Sequence, residues 1–354
     1  MAPERTPGVL ASRRARATSN PQSAAVAEDA LNFEPDHPEV QLSESPALLP
    51  PTPRNPTTLE AMFLGSDGLR AGWRVLVYFA FLIVIYWLVS AGLHFAPFVD
   101  RVGAEAMAGH NSAASLLLQE VPAFVTMLLA SWVMTFIEKR PLWRYGLPLH
   151  GAFGSRFWQG AAWGFLQLTV LLGVIHLLGG FSFGTLALHG TAIVQYALLY
   201  SLAFLFVGLS EEYLLRGYLQ YTLSRGIGFW PAAVITSSLF AAIHLFNSGE
   251  NPLGIAMVAI DGLFGCFILW RTGNLWWAVG NHAAWDFSQS YLYSVSDSGQ
   301  NVSNHLMNSN FHGPAWLTGG SVGPEGSVFI PGLFAISFVV FHFCYPKREY
   351  SDVS

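Results

Sequence analysis

Apolar runs follow one another so closely from Trp73 to Tyr345 that they dictate what this chain can fold into. A helix needs about 20 apolar residues to cross the hydrocarbon of a bilayer. Eight runs come near that length: Trp73 to Phe95, Leu116 to Ile137, Trp158 to Gly180, Ile193 to about Leu223, Pro231 to Leu245, Leu253 to Trp270, Leu275 to Tyr293, and Val328 to Tyr345. Inside a bilayer every backbone polar group must be satisfied within the protein, which leaves helices as the solution for runs of this kind. The expected fold is all-α, a polytopic membrane protein of about eight transmembrane helices. Composition agrees: 11% of the 354 residues are charged, against about 25% in an average soluble chain.

The polar remainder sets orientation. Residues 1–70 are rich in Pro, Ala, Ser and acidic groups, and Pro50, Pro51, Pro53 and Pro56 would break a helix there. This stretch reads as a disordered tail. Its first twenty residues hold the pair Arg13 and Arg14 but no apolar region, so no secretory or twin-arginine signal is expected. Lys and Arg crowd the tail, the second, fourth and sixth connections, and the end of the chain, at Lys347 and Arg348. By the positive-inside rule both termini are then cytoplasmic, and the Gly-, Asn- and Ser-rich loop from Ser294 to Ser327 is external. The net charge of −5 comes with no basic patch, so nucleic acid is not an expected partner. Cys266 and Cys344 both sit in apolar runs and read as small packing residues.

Charged groups within such helices cost roughly 3 kcal/mol each on insertion scales, so each calls for a reason. Glu211, Glu212 and Arg216 stand together in the fourth run. Glu212 and Arg216 are four apart and share a helix face, whereas Glu211 points elsewhere and is left free. Phe240 with His244, and His282 with Asp286, repeat the four-residue spacing in the fifth and seventh runs. Glu211 and His244 lie roughly 16 to 17 residues either side of a turn near Gly228, so an antiparallel hairpin of unbroken helices would bring them to one depth. A Glu, two His and an Asp in a low-dielectric cavity suit hydrolysis: Glu as general base toward water, His244 holding the same water, and His282, oriented by Asp286, donating to an oxyanion. Two His and a Glu are also a zinc set, although no His-Glu-x-x-His motif is present. Glu120, His176 and Asp261 belong to no motif and read as hydrogen-bonding contacts between helices.

In this order, Glu-Glu-x-x-x-Arg, Phe-x-x-x-His and His-x-x-x-Asp resemble the signature of the CAAX-protease and bacteriocin-processing (CPBP, or Abi) intramembrane proteases, which include the type II CAAX prenyl endopeptidases. The block that carries the resemblance runs from about Ile193 to Phe287; elsewhere the chain is similar only in being helical membrane segments. The resemblance implies eight helices, a cavity open to the cytoplasm and a glutamate protease site. It implies that Glu211 activates water together with His244, that His282 and Asp286 occupy the oxyanion-stabilising positions, and that Glu212, Arg216 and Phe240 support them. The last motif residue is Asn in the prenyl endopeptidases and Asp here, so donation from Asp286 needs its protonated form. The chain then divides into the tail (1–70), amino-terminal transmembrane helices (71–191), a catalytic core (192–290), and an external loop with the last transmembrane helix and a short tail (291–354).

The expected function is intramembrane endoproteolysis of a membrane-embedded or lipid-modified, CAAX-like protein by glutamate- and histidine-activated water. The expected partners are that membrane protein or peptide and the lipid bilayer. No cofactor is required on this reading; a divalent metal such as zinc, held by His244, His282 and Glu211, is the alternative. A catalytically silent scaffold or chaperone of the same fold is the rival from another class. A transporter is the third, for which no internal repeat is seen.

Overall fold

The computed structural model describes residues 57–65, 68–107, 111–247 and 249–351. Most of the expected tail, residues 1–56, lies outside the described residues. Its last part is folded. Thr57 and Glu60 form a reciprocal capping box that starts helix α1, Thr58–Phe63, and β1, Leu64–Gly65, pairs antiparallel with β2, Gly68–Leu69.

Helices then follow as α2, Ala71–Leu93; α3, Pro97–Met107; α4, Ala113–Glu138; and α5, Ser155–Leu177. A short strand, β3 (Phe181–Ser182), precedes α6, Thr191–Glu212. That helix passes through a π-helical turn, Tyr213–Leu219, into α7, Gln220–Ile227. Next come α8, Phe229–His244; α9, Pro252–Thr272; and α10, Trp276–Asp286, which continues in a second π turn, Phe287–Leu292. The chain closes with β4, Asn310–Phe311, a short α11, Ala315–Thr318, and α12, Ile330–Cys344. Every run expected to span the membrane is helical. Five helices are long and apolar enough to cross a bilayer: α2, α4, α5, α6 continued through α7, and α9. The apolar α8 and α12 are shorter, so eight full crossings do not follow from length alone.

Local chemistry places the turns. Gly228 has φ +87°, a conformation that glycine adopts without a Cβ penalty, and it joins α7 to α8 as a hairpin. Asn251 caps α9 by accepting from the Gly254 N–H at 2.9 Å, with Pro252 at the first helical position. The left-handed Gly273 ends α9 and allows α10 to begin three residues later.

The closest helix pair is α5 with α10. A Cβ built on Gly160 would overlap the Trp277 carbonyl, one on Gly164 the Asn281 carbonyl, and one on Gly280 the Phe157 carbonyl. Gly160 and Gly164 form the small-xxx-small spacing by which membrane helices bring their backbones together. Polar bonds add to that face: Asn281 Nδ2 donates to Gln167 Oε1 at 2.9 Å, and Gln167 Nε2 to Ser337 Oγ of α12 at 2.6 Å. On the outside, Trp87 and Leu88 of α2 and Phe343 of α12 are about two-thirds or more exposed (66%, 68% and 74%) and form surface suited to lipid. The protein is an integral membrane protein. Cys266 is buried, whereas Cys344, expected to pack inside, is exposed on α12.

Residues 293–329 do not hang free as a loop. β4 pairs with β3, and Gln289 Nε2 donates to the Ser296 carbonyl at 2.7 Å, which draws the segment in against the end of α10.

Candidate active site

The acidic groups of the site stand where helices change form. α6 is regular up to Glu212; from Tyr213 its backbone opens into the π turn, with Gly217 leaving helical geometry at φ −80°, ψ −114°. α10 does the same directly after Asp286. Such turns are rare and occur frequently at functional sites.

From within the first π turn onward the hairpin keeps a clean register. The Arg216 guanidinium lies 4.5 Å over the ring of Phe240, and Thr236 Oγ1 donates to Gln220 Oε1 at 3.0 Å. The two residues of each pair are equally far from Gly228, the centre expected from the sequence. Beyond the π turn, Glu211 and His244 come to line the same cavity.

His282 is the hub. Its Nδ1 donates to Glu212 Oε1 at 3.0 Å. Its Nε2 lies 3.5 Å from Glu211 Oε2 and 3.5 Å from Asp286 Oδ2. Glu212 Oε1 also accepts from Arg216 Nη1 at 3.2 Å, in a pair whose residues are 2% and 1% exposed. This pair is the one expected from the four-residue spacing. Two other expectations were incomplete. His282 meets Asp286 as the spacing implies, with Oδ2 3.5 Å from Nε2, and is held in addition by Glu212 through a hydrogen bond from Nδ1. Glu211 is not free, because it shares the other ring nitrogen with Asp286. Helical spacing describes neighbours on one helix, and these contacts cross from α6 to α10.

Phe240 packs between two polar groups: Arg216 on its face, and His244 edge-on with ring centroids 4.6 Å apart. His244 Nδ1 donates to the Phe240 carbonyl at 3.0 Å, so in the neutral ring Nε2 keeps the lone pair. Gly265 of α9 makes room behind them, since a Cβ there would lie 3.2 Å from Arg216 Nε and 3.3 Å from Glu212 Oε2.

Glu211, Phe240, His244, His282 and Asp286 line one cavity of about 480 Å³. Glu212 and Arg216 stand behind its wall. His244, His282 and Glu211, the zinc set considered from sequence, are not drawn together as ligands: among the described residues no three His, Cys, Asp or Glu side chains are grouped to hold a metal ion.

Four further acids line the same cavity: Glu120 from α4, Asp261 from α9, and Asp297 and Glu325 from 293–329. Glu120 and Asp261 read from sequence as contacts between helices, and here they face the cavity. His176 does keep a local role, with Nδ1 bonded to the Phe181 carbonyl at 2.7 Å. Glu325 accepts from the Ser298 N–H and hydroxyl at 2.8 and 3.1 Å and from Trp285 Nε1 at 3.3 Å. Ser290 Oγ donates to Asp297 Oδ2 at 3.0 Å. Burial pushes the Glu325 carboxyl up to about 8, with Asp297 beside it adding to the rise. Burial holds Asp297 well above the usual carboxylate range. Sequence reasoning passed over both residues. The signal available was that they are the only charged residues between Phe287 and Pro346.

Residues 193–288, just over a quarter of the chain, match the family model described as type II CAAX prenyl endopeptidase Rce1-like. The chain carries a CAAX-protease-type domain. The domain runs from α6 into the π turn after α10 and holds every motif residue described above. Glu120, Asp297 and Glu325 lie beyond it. No curated protein and no solved structure matches the chain.

Proposed function

We propose that this protein is an intramembrane endopeptidase that hydrolyses a peptide bond in a membrane-embedded or lipid-modified protein. The observation that carries the reading is the convergence of Glu211, Glu212 and Asp286 on His282, at the wall of a cavity that the CAAX-protease-type domain lines together with segments beyond it. In this mechanism Glu211 removes a proton from water as the water oxygen bonds to the scissile carbonyl carbon. His244, with its Nε2 lone pair, positions that water by accepting its second proton as a hydrogen bond. The oxyanion of the tetrahedral intermediate receives a hydrogen bond from His282 Nε2–H, and Asp286 contributes a second donor when protonated. Collapse breaks the C–N bond, and the proton held by Glu211 passes to the leaving amine. Glu212 and Arg216 position His282. No step requires a metal.

Glu211→Gln is expected to reduce cleavage at least about 100-fold while leaving thermal stability near wild type, because Arg216 keeps its partner. Proteomics of host membranes, scored for new chain ends with wild-type protein and with this variant, reads the effect; wild-type ends from the variant would remove Glu211 from the role. The purified wild-type protein should keep its activity after thorough chelation, and activity restored by zinc alone would replace the metal-free mechanism. The Lys and Arg distribution supports cytoplasmic termini and an external 293–329 segment. Reporter fusions after Tyr345 and within that segment should read opposite sides, and the same side for both would reject this topology.

A further inference from the structure

The helix that carries Glu211 and Glu212 is jointed. At Gly217 its backbone leaves helical geometry, and a Cβ there would lie 2.9 Å from the Tyr213 ring and 3.1 Å from the Tyr145 carbonyl. Where the regular hydrogen-bond ladder is interrupted, the angle between the two flanks depends on what their side chains hold. On the near flank Arg216 donates to Glu212 and lies over Phe240. On the far flank the tie runs outward, to another part of the bundle.

Tyr218 OH donates to Glu138 Oε1 at 2.5 Å, reaching the last residue of α4. Glu138 Oε2 lies 3.7 Å from Arg74 Nη1 of α2, and these two side chains are 2% and 5% exposed. Tyr78 stacks on the Tyr218 ring with centroids 4.2 Å apart, and Tyr145 meets it edge-on at 4.9 Å. A phenylalanine would fill that aromatic stack as well as a tyrosine, and a carboxylate is costly to hold away from water. What Glu138 adds is direction, since it accepts one hydrogen bond from one point on the π turn. Arg74 and Glu138 lie outside residues 193–288, which match the family model. None of the three side chains lines the cavity.

We infer that Tyr218 and Glu138 are positioning residues for the candidate active site, with Arg74 holding Glu138. They fix the far flank of the joint at Gly217, so that the near flank brings Glu211 and Glu212 to His282. This deepens the proteolytic reading and rests on it for what Glu211 does once placed, although not for the placement itself.

The full chain, labelled with ¹⁵N-histidine and purified in detergent, tests this. The ring nitrogen signals of His282 report its protonation and hydrogen bonds, and they are assigned as those missing from the His282→Gln variant. Tyr218→Phe keeps the stacked ring and loses the hydroxyl. Glu138→Leu and Glu138→Gln both remove the charge beside Arg74, but the Gln amide oxygen still accepts from Tyr218. Tyr218→Phe and Glu138→Leu should displace the His282 signals further than those of histidines outside the cavity. Glu138→Gln should lower the unfolding midpoint and leave the His282 signals near their wild-type positions. Unmoved His282 signals in a folded Tyr218→Phe variant would overturn the inference. So would signals displaced as far in Glu138→Gln as in Glu138→Leu. If neither Glu138 variant folds, Tyr218→Phe alone decides.

New chain ends in host membranes keep the two readings apart. Tyr218→Phe should yield about tenfold fewer than wild type, or less still, as misplacement of a reacting group does. Displaced signals with no chain ends from the wild type would leave the positioning standing and remove the protease. Wild-type chain ends with unmoved signals would do the reverse.

Discussion

α10 meets its two neighbours on different terms. Toward α5 it presents Gly280 to a helix that presents Gly160 and Gly164, and the backbones touch because side chains are missing. Toward α6 it presents His282, and the contact is made by Glu211, Glu212 and Arg216. The first face has no proton to exchange and one best distance. The second includes Glu211, whose charge changes during the proposed reaction. A residue that must gain and lose hydrogen bonds is positioned well when the helix carrying it is pinned from the other side. On the proposed mechanism, the α5 face supplies rigidity to the helix whose α6 face carries the chemistry.

The charged face should break hardest. Glu212→Gln leaves Arg216 buried with no carboxylate, and breaking a buried pair costs about 3–5 kcal/mol. A large fall in the unfolding midpoint of the purified protein is expected. An unchanged midpoint would mean that the α6 face is not held by charge, and the contrast between the faces would fail.

The glycine face should break less, by about 1–3 kcal/mol for overpacking. In Gly164→Leu the new side chain drives α5 away from the Asn281 carbonyl, so activity should fall together with the midpoint, with every catalytic group still present. A variant that loses stability but keeps the wild-type rate would show that α10 does not depend on α5 for its position.

A third test, read only through its pH dependence, concerns Glu325, away from both faces. Its carboxyl is pushed up from 4.5 to about 8 by burial, so the folded protein keeps a proton that the unfolded chain releases. Stability from this group is complete below about pH 4.5, declines as the unfolded chain ionises, and is fully lost once pH passes about 8. Glu325→Gln should flatten that decline, read as a narrower spread of unfolding midpoints between pH 4.5 and about 8. A pH profile unchanged by the substitution would place the titration elsewhere, with Asp297 the neighbour to examine next.

The helices were legible because bilayer thickness turns apolar run length into a ruler. α2, for example, begins two residues before the expected Trp73 and ends two before Phe95. The hairpin centre was legible because Gly228 sits between two apolar runs. Contacts between helices were harder to read. Spacing pairs Glu212 with Arg216 correctly, since both lie on one helix, but cannot show His282 arriving from α10 to take Glu212 as well. The glycines of α5 were present as a Gly-x-x-x-Gly pattern, yet a pattern of absent side chains does not name its partner. Polar composition suggested an external loop over 294–327. What draws 293–329 toward the cavity is two half-buried, hydrogen-bonded acids and a two-residue strand pairing, features too sparse for any periodicity to report.

The two π turns carry one more consequence. Helices pack by meshing ridges of side chains into grooves, which works while both partners repeat at one pitch. A turn with an extra residue is out of step with its neighbours for its whole length. Here two such turns follow Glu212 and Asp286 on helices that pack together. The two turns lie apart, the first packed against α4, α8 and α9 and the second against α5 and α6. Each therefore works as a key that fits its own lock, fixing its helix at one axial position against those neighbours, because a slide by a regular turn would no longer bring the extra residue to the place shaped for it.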